Sequence, residues 1–293
     1  MQTLHCLGCG RAAQVILRLL HEHGQFRIGQ IANRSLASAE QAAAFIGAGQ
    51  PSAIISPESK ADGLLVGLPD GCLNQLPQQL PPAVAASGGE YAFALHLSAS
   101  VKASVLEPLA AECAAVHPAL AFAQPQQALR QFPGSWCVGE GSPGLLQKLE
   151  PVFHAIGARF IAVPALNKPL YHAAAMTASN AIIATLAMAQ RLIGKAGMDQ
   201  EQGAQLLLAL AARNIAAADR DGLAAALTGP VERGDVVTLQ RLRESLRQHA
   251  PDQLPAWLAS QRLCVDLARN KGHLSDDQLA ALAAVLLDEP AAS

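Results

Sequence analysis

Along the first half of the chain, apolar residues come in short unbroken runs separated by helix-length stretches, the pattern of parallel strands buried on both faces. Leu4 to Leu7 is the first run, and an apolar helix from Val15 to Leu20 follows it. A second run spans Phe26 to Ala32, a short strand is expected near Ser52 to Ser56, and Gly63 to Leu68 is an unbroken fourth. Tyr91 to Leu97, Ala114 to Val116, Trp136 to Val138 and Arg159 to Val163 read as further strands, with helices at Lys102 to Glu112 and Gly144 to Ile156. Pro77, Pro81 and Pro82 break the helix after Asp70, and Pro125 and Pro133 punctuate an irregular crossing between Phe122 and Ser135. This alternation predicts one α/β domain.

Beyond Pro164 the pattern is helical only, which places a domain boundary near Pro164 to Lys168 and divides the chain into residues 1–164 and 165–293. Helices are expected from Pro169 to about Lys195, Asp199 to Ala218, Val236 to Gln248, Pro251 to Asn270 and Ser275 to Leu287. Apolar and small residues cover nearly every face of the first, so it must be surrounded by its own domain or by a second subunit. A homodimer through these helices is the expectation. The uncharged segment Ala173 to Ala189 contains Thr177, Ser179, Asn180 and Thr185 and is short for a membrane span, so it reads as a buried helix.

Charge narrows the function classes. The 293 residues carry 21 basic and 23 acidic side chains, leaving no basic footprint for nucleic acid or an anionic membrane and favouring a small-molecule substrate. The six cysteines, at positions 6, 9, 72, 113, 137 and 264, show no disulfide spacing and read as reduced thiols. Cys6 and Cys9 form a C-x-x-C, but no second pair completes a zinc site, so no metal is expected. The first apolar run is short, contains His5 and lacks a basic leader, which reads as a cytoplasmic protein.

The first strand runs into Gly8-Cys9-Gly10-Arg11-Ala12-Ala13, a G-x-G-x-x-A turn opening a helix. That order suits a dinucleotide pyrophosphate. Gly8 allows the tight turn, Gly10 admits phosphate to the backbone, and Ala13 lets the helix pack closely on the strand. Cys9 is a small loop residue whose N–H can face phosphate, and the helix start at Arg11 and Ala12 offers free N–H donors. After the second strand, Asn33, Arg34 and Ser35 stand where the ribose is read; with no acidic residue there and a guanidinium present, they favour NADP over NAD. Leu68, Pro69 and Asp70 follow the fourth strand and should lie along the cofactor.

A second set of polar residues points to a reaction. Lys168 and His172 are four apart and share a helix face, Asn180 stands eight further on, and Tyr171 and Ser179 are likewise eight apart. A lysine there can donate a proton to a carbonyl oxygen as hydride arrives, and His172 can relay it. Arg233 and Asp235, in a Gly/Pro-bracketed loop, can hold and orient an acidic substrate, although Asp235 also suits an N-cap. Ser98, His96 and His117 lie near strand ends that face the crevice.

Together, Gly8-x-Gly10-x-x-Ala13, Asn33-Arg34-Ser35, Leu68-Pro69-Asp70, His117-Pro118, Tyr171-His172-Ala173-Ala174 with Ser179-Asn180, and Thr228-Gly229-Pro230 with Arg233-Gly234-Asp235 resemble a group of Rossmann-like bacterial proteins. These carry a C-terminal helical domain of unassigned function and are similar in plan to ketopantoate reductase, pyrroline-5-carboxylate reductase and the 6-phosphogluconate dehydrogenase-like β-hydroxyacid dehydrogenases. The resemblance implies a Rossmann dinucleotide-binding domain followed by an all-α domain. It also implies an NADP-dependent oxidoreductase of the ketopantoate reductase kind, reducing a small keto acid or imine between the domains. Lys168, His172 and Asn180 would be catalytic, and Ser98, His117, Ser179, Arg233 and Asp235 would bind substrate. The sequence departs from the group's pattern at Ala99, His172 and Arg241. Those departures keep a second reading open, a dinucleotide-binding sensor or regulator without chemistry.

Overall fold

The computed structural model describes residues 1–56, 59–76 and 91–287. The expected breaks at Pro77, Pro81 and Pro82 lie outside the described residues. Two compact units are present, Met1–Met176 and Thr177–Ser293.

The first unit is built on a sheet of eight strands in the order β3-β2-β1-β4-β5-β6-β7-β8. These are β1 (Thr3–Leu7), β2 (Arg27–Ala32), β3 (Gln50–Ser52), β4 (Gly63–Val66), β5 (Tyr91–His96), β6 (Ala110–Pro118), β7 (Trp136–Gly141) and β8 (Arg159–Ala162). Neighbours are parallel except β6 and β7. Alternation within β1 shows why its apolar residues face both ways. Leu4 and Cys6 enter one core with Val15, Ile16 and Leu19 of α1 (Arg11–Glu22), while Leu7 enters the opposite core with Leu64 and Val66. His5 is the polar exception, and it is put to use. The β1–β2 register shifts by one residue between Leu4 and Cys6, and His5 Nδ1 accepts the hydrogen bond of Gln30 N–H at 2.9 Å, occupying the place of a ladder carbonyl.

Helices α2 (Leu36–Ile46), α3 (Asp70–Leu73), α4 (Pro125–Gln131) and α5 (Pro143–Ala155) complete the crossings. The helix expected over Lys102 to Glu112 is instead a 3-10 turn at Ala103–Leu106 followed by the first residues of β6. Pro108 removes a backbone donor inside that stretch, and Ala110 and Glu112 find partners in register with Tyr91 and Phe93. The unit ends with α6 (Lys168–Met176), so the boundary falls after Met176 rather than near Pro164. Burial of Lys168 and the packing of Tyr171 on His117 tie α6 to the sheet.

The second unit contains α7 (Ile182–Lys195), α8 (Gln200–Asp221), α9 (Leu223–Ala226), α10 (Val236–His249), α11 (Leu254–Lys271) and α12 (Asp276–Val285). Its core gathers Val231, Leu239, Leu258, Val265, Leu279 and Leu282. Ser275 and Gln278 form a capping box at the start of α12, and Arg243 and Arg262 donate to the carbonyls of Val285 and Leu286 at its end, 2.9 Å each. The expected burial of the apolar helix is not met among the described residues. Only Met188 is buried in α7 and only Gly203 in α8, while Ile183 is 67% exposed and Leu208 53%. The helical run Lys168–Lys195 is long and apolar enough, by composition, to cross a bilayer.

Candidate functional site

A cleft of about 580 Å³ opens at the C-terminal ends of the central parallel strands, where β1 and β4 lie side by side and the strand order reverses. Its floor is the glycine turn. Gly8 has φ +77°, and a Cβ there would sit 2.5 Å from Leu68 Cδ2, so the chain itself requires glycine. Gly10 differs: the nearest protein atom to a Cβ would be Gly67 O at 3.7 Å, an ordinary contact. The space kept clear at Gly10 therefore belongs to the cleft, directly before α1, whose N-cap carries no side-chain bond. First-turn N–H groups without intrahelical partners face that space, the arrangement that receives an anionic phosphate.

The turn is held from the second strand. Asn33 Oδ1 accepts from Cys9 N–H at 2.6 Å, and Asn33 Nδ2 donates to Ser38 O at 3.0 Å. The Cys9 N–H, expected to face phosphate, and Asn33, expected at the ribose, are spent on each other. Ser35 is the N-cap of α2 and does not line the cleft, whereas Ser38 does. Arg34 is exposed on the cleft wall. Arg11 and Ala12 also line it, with the Arg11 guanidinium donating to Ala123 O at 2.9 Å. Leu68, Pro69 and Asp70 form the wall contributed after β4.

At the end of β5 the cleft reaches Leu97 and Ser98, and a polar cluster begins. Lys168 is fully buried, and its Nζ donates to Ser98 O at 2.5 Å. Burial pushes the ammonium down to about 8, against the pull of Glu140 and Asp70. Glu140 is itself buried and accepts from Ala103 N–H at 2.8 Å. The Ser98 hydroxyl oxygen accepts from the backbone N–H groups of Ser100 and Val101, and Ser100 Oγ donates to Asp70 Oδ2 at 2.5 Å. Asp70 is thus fixed beside the Ser98 turn. His96 is buried with both nitrogens engaged, Nδ1 accepting from Ser98 N–H and Nε2 on Lys102 O, and desolvation drives it down to about 4. It supports the turn and does not face the cleft. His117 Nδ1 lies 2.8 Å from the Tyr171 hydroxyl, the rings edge to face at 5.6 Å. His172 Nδ1 is buried without a hydrogen-bond partner among the described residues.

No curated protein is similar to the chain in sequence. Residues 135–261 match the family described as a domain of unknown function, DUF2520. Among solved structures, protein TM1727 from Thermotoga maritima is 21% identical over 92% of this chain and 99% of its own, with a TM-score of 0.71. A reductive aminase from Aspergillus terreus, solved with NADPH and ethyl levulinate, is 17% identical over 96% and 98% of the two chains, TM-score 0.62. An imine reductase variant from Myxococcus stipitatus, solved with NAD+, is 16% identical over 98% and 100%, TM-score 0.60. Likeness at these identities establishes the fold. The first unit is a Rossmann domain, and a helical domain follows it in the chain.

Within the Rossmann domain the structure brings together the glycine turn, Arg34, Asp70 and Ser98 on one cleft, and joins Ser98 to Lys168. Four residues singled out from the sequence, Ser179, Asn180, Arg233 and Asp235, belong to the helical unit. Ser179 and Asn180 are exposed in a π-helical turn, Thr177–Ala181, which interrupts the α-helical register on which the eight-residue stripes depended. Asp235 is the N-cap of α10, accepting from Thr238 N–H at 2.9 Å, and Arg233 is exposed beside it. Glu140 and the Tyr171–His117 pair escaped the sequence reading. No local signal marks Glu140; His117-Pro118 and Tyr171-His172 were visible as motifs, but their pairing spans 54 residues.

Proposed function

We propose that the chain is an NADP-dependent reductase acting on a small keto acid or imine. One observation carries this reading: a single cleft runs from the open space at Gly10, past Arg34, to the Ser98 turn held by Lys168. The α1 N-terminus receives the pyrophosphate, and the Arg34 guanidinium forms charge-assisted bonds to a 2′-phosphate. The cleft volume lies in the ordinary range of about 300–1,000 Å³ for small-molecule sites. Bound NADPH would supply the hydride. Asp70 and Ser98 border the far end of the cleft, and the Lys168 bond to the Ser98 carbonyl leads from there to the polar residues of α6, which would supply the proton that must accompany it. The names of the structural neighbours, a reductive aminase solved with NADPH and an imine reductase, point to the same chemistry, and reduction of a C=N bond joins reduction of a C=O bond within the proposal. The neighbour solved with NAD+ makes the cofactor preference a matter for Arg34 to decide in this chain.

A homodimer completes the proposal. In α8, Leu206, Leu208 and Leu210 cannot share one face, yet all are more than half exposed. A second copy laid along α7 and α8 would cover them, and the free thiols suit a reducing, cytoplasmic setting.

Fluorescence titration with NADPH and NADH, followed by nicotinamide absorbance with 1-pyrroline and 2-oxo acids as probes, tests the reading. Tighter NADPH binding and oxidation by one probe class are expected. Binding without turnover would favour the sensor, and no binding would overturn both.

A further inference from the structure

The sequence made Lys168 the proton donor, and the structure gives that lysine another task. Its Nζ is fully buried and committed to the Ser98 carbonyl, so it fixes α6 against the turn at the cleft's end. One turn along α6 stands the Tyr171 hydroxyl, which has a partner able to return a proton to it. Tyr171 and His117 are half-buried, they meet at 2.8 Å, and they come from two elements that end at the same polar cluster.

Resting on the reductase reading, we propose that Tyr171 is the proton donor of this site, recharged through His117, and that Lys168 positions the helix that carries it. In the step, hydride from the reduced nicotinamide reaches the carbon of the C=O or C=N bond, whose electron pair moves to the heteroatom. That heteroatom takes the Tyr171 hydroxyl proton. His117 passes its Nδ1 proton to the phenolate as Nε2 takes one from a water, leaving the other neutral tautomer, a restored phenol and a hydroxide that solvent buffer neutralises, the net proton uptake of the reduction.

The charges around the pair suit the roles. Burial first, and then the electrostatic influence of Lys168 and His172 on α6, drives the His117 imidazole down to about 4, against the pull of Asp70 at the start of α3. It is neutral near pH 7, with one donor and one acceptor nitrogen, as a relay requires. Burial, and then the Cys137 thiol on β7, hold Tyr171 above its ordinary value, so it is present as the acid.

Two readouts test the proposal, one of them independent of turnover. The difference in phenolate absorbance between wild type and Tyr171→Phe isolates the Tyr171 titration. In a His117→Ala background that titration should move up by about one pH unit or more, because the phenolate loses its donor, and His117→Asn, which keeps an N–H at the Nδ1 position, should return most of the shift. With NADPH bound and 1-pyrroline or a 2-oxo acid as probe, Tyr171→Phe should lower kcat by roughly 100-fold or more while KM and NADPH affinity stay within about twofold. His117→Asn should lie between the two, since it orients the phenol and cannot relay. A Tyr171→Phe enzyme within about threefold of wild type, or a tyrosine titration indifferent to His117→Ala, overturns the pair. Wild-type protein that binds no NADPH, or reduces no probe, overturns the reductase reading instead.

Discussion

Lys168→Met exposes the energetics of the anchor that joins α6 to the cleft. In the folded chain the ammonium is pushed from its ordinary 10.5 to about 8, chiefly by burial. At about 1.4 kcal/mol per pH unit, that gap costs the native state roughly 3 kcal/mol while the lysine is charged. The folded value is the lower one, so between pH 8 and 10.5 the unfolded chain holds a proton that the folded chain has released. Stability contributed by this group therefore rises with pH across that window. Methionine removes the cost at every pH but leaves the Ser98 carbonyl without its donor, a loss of about 1–3 kcal/mol. The two proteins should exchange rank. Near pH 7 the variant should be equal to wild type or more stable by up to about 2 kcal/mol, and at pH 10.5 wild type should lead by roughly 1–3 kcal/mol. Buried thiols titrate in the same range, Cys113 raised to about 11 and Cys137 to about 12, but they are common to both proteins and cancel in the difference. The chain has two tryptophans, Trp136 in the Rossmann domain and Trp257 in the helical one. In a Trp257→Phe background, urea unfolding followed by Trp136 fluorescence reports the unit that contains Lys168. Parallel stability curves from pH 7 to 10.5 would refute the reasoning, since they would mean that no buried ammonium is being discharged.

Arg34→Ala should reduce the NADPH-over-NADH preference by about 10- to 100-fold, the worth of a charge-assisted phosphate contact, as read by titration with both nucleotides. Gly8→Ala forces a left-handed backbone at a cost of about 1–2 kcal/mol and drives a Cβ to 2.5 Å from Leu68 Cδ2, so both the melting temperature and NADPH affinity should fall. His96, held near 4 mainly by burial, is depressed below its ordinary 6.5, so its stability contribution is full above pH 6.5 and is lost as pH falls toward 4, by up to about 3 kcal/mol. His96→Gln should flatten that acid limb in urea titrations. Leu208→Glu in α8 should shift sedimentation from dimer to monomer while leaving the far-UV spectrum of the helices in place.

What could be read from the sequence follows the reach of each interaction. Strand β4 is apolar at every position, and Leu4–Leu7 of β1 at every position but His5, because cores press on both faces, so four residues suffice to reveal them. The glycine turn is legible because the left-handed φ of Gly8 is a property of the local backbone, although the atoms that would crowd a Cβ at Gly8 and that bound the space at Gly10 belong to Leu68 and Gly67, after β4. The stretch from Lys102 to Glu112 misleads because its second half is decided by pairing with Tyr91 and Phe93 in β5, a partner that helical periodicity does not register. The site fails in the same way. Lysine is usually solvated, and only the fold reveals that Lys168 is wholly enclosed, facing a carbonyl 70 residues away. Tyr171 looked like one residue in a helical stripe until β6 brought His117 against it. The exposed apolar helices mark the opposite limit. Their composition says that they must be covered, and the cover proposed here is a second copy, whose residues are by necessity already present in the sequence but whose placement no single chain can encode in its own contacts.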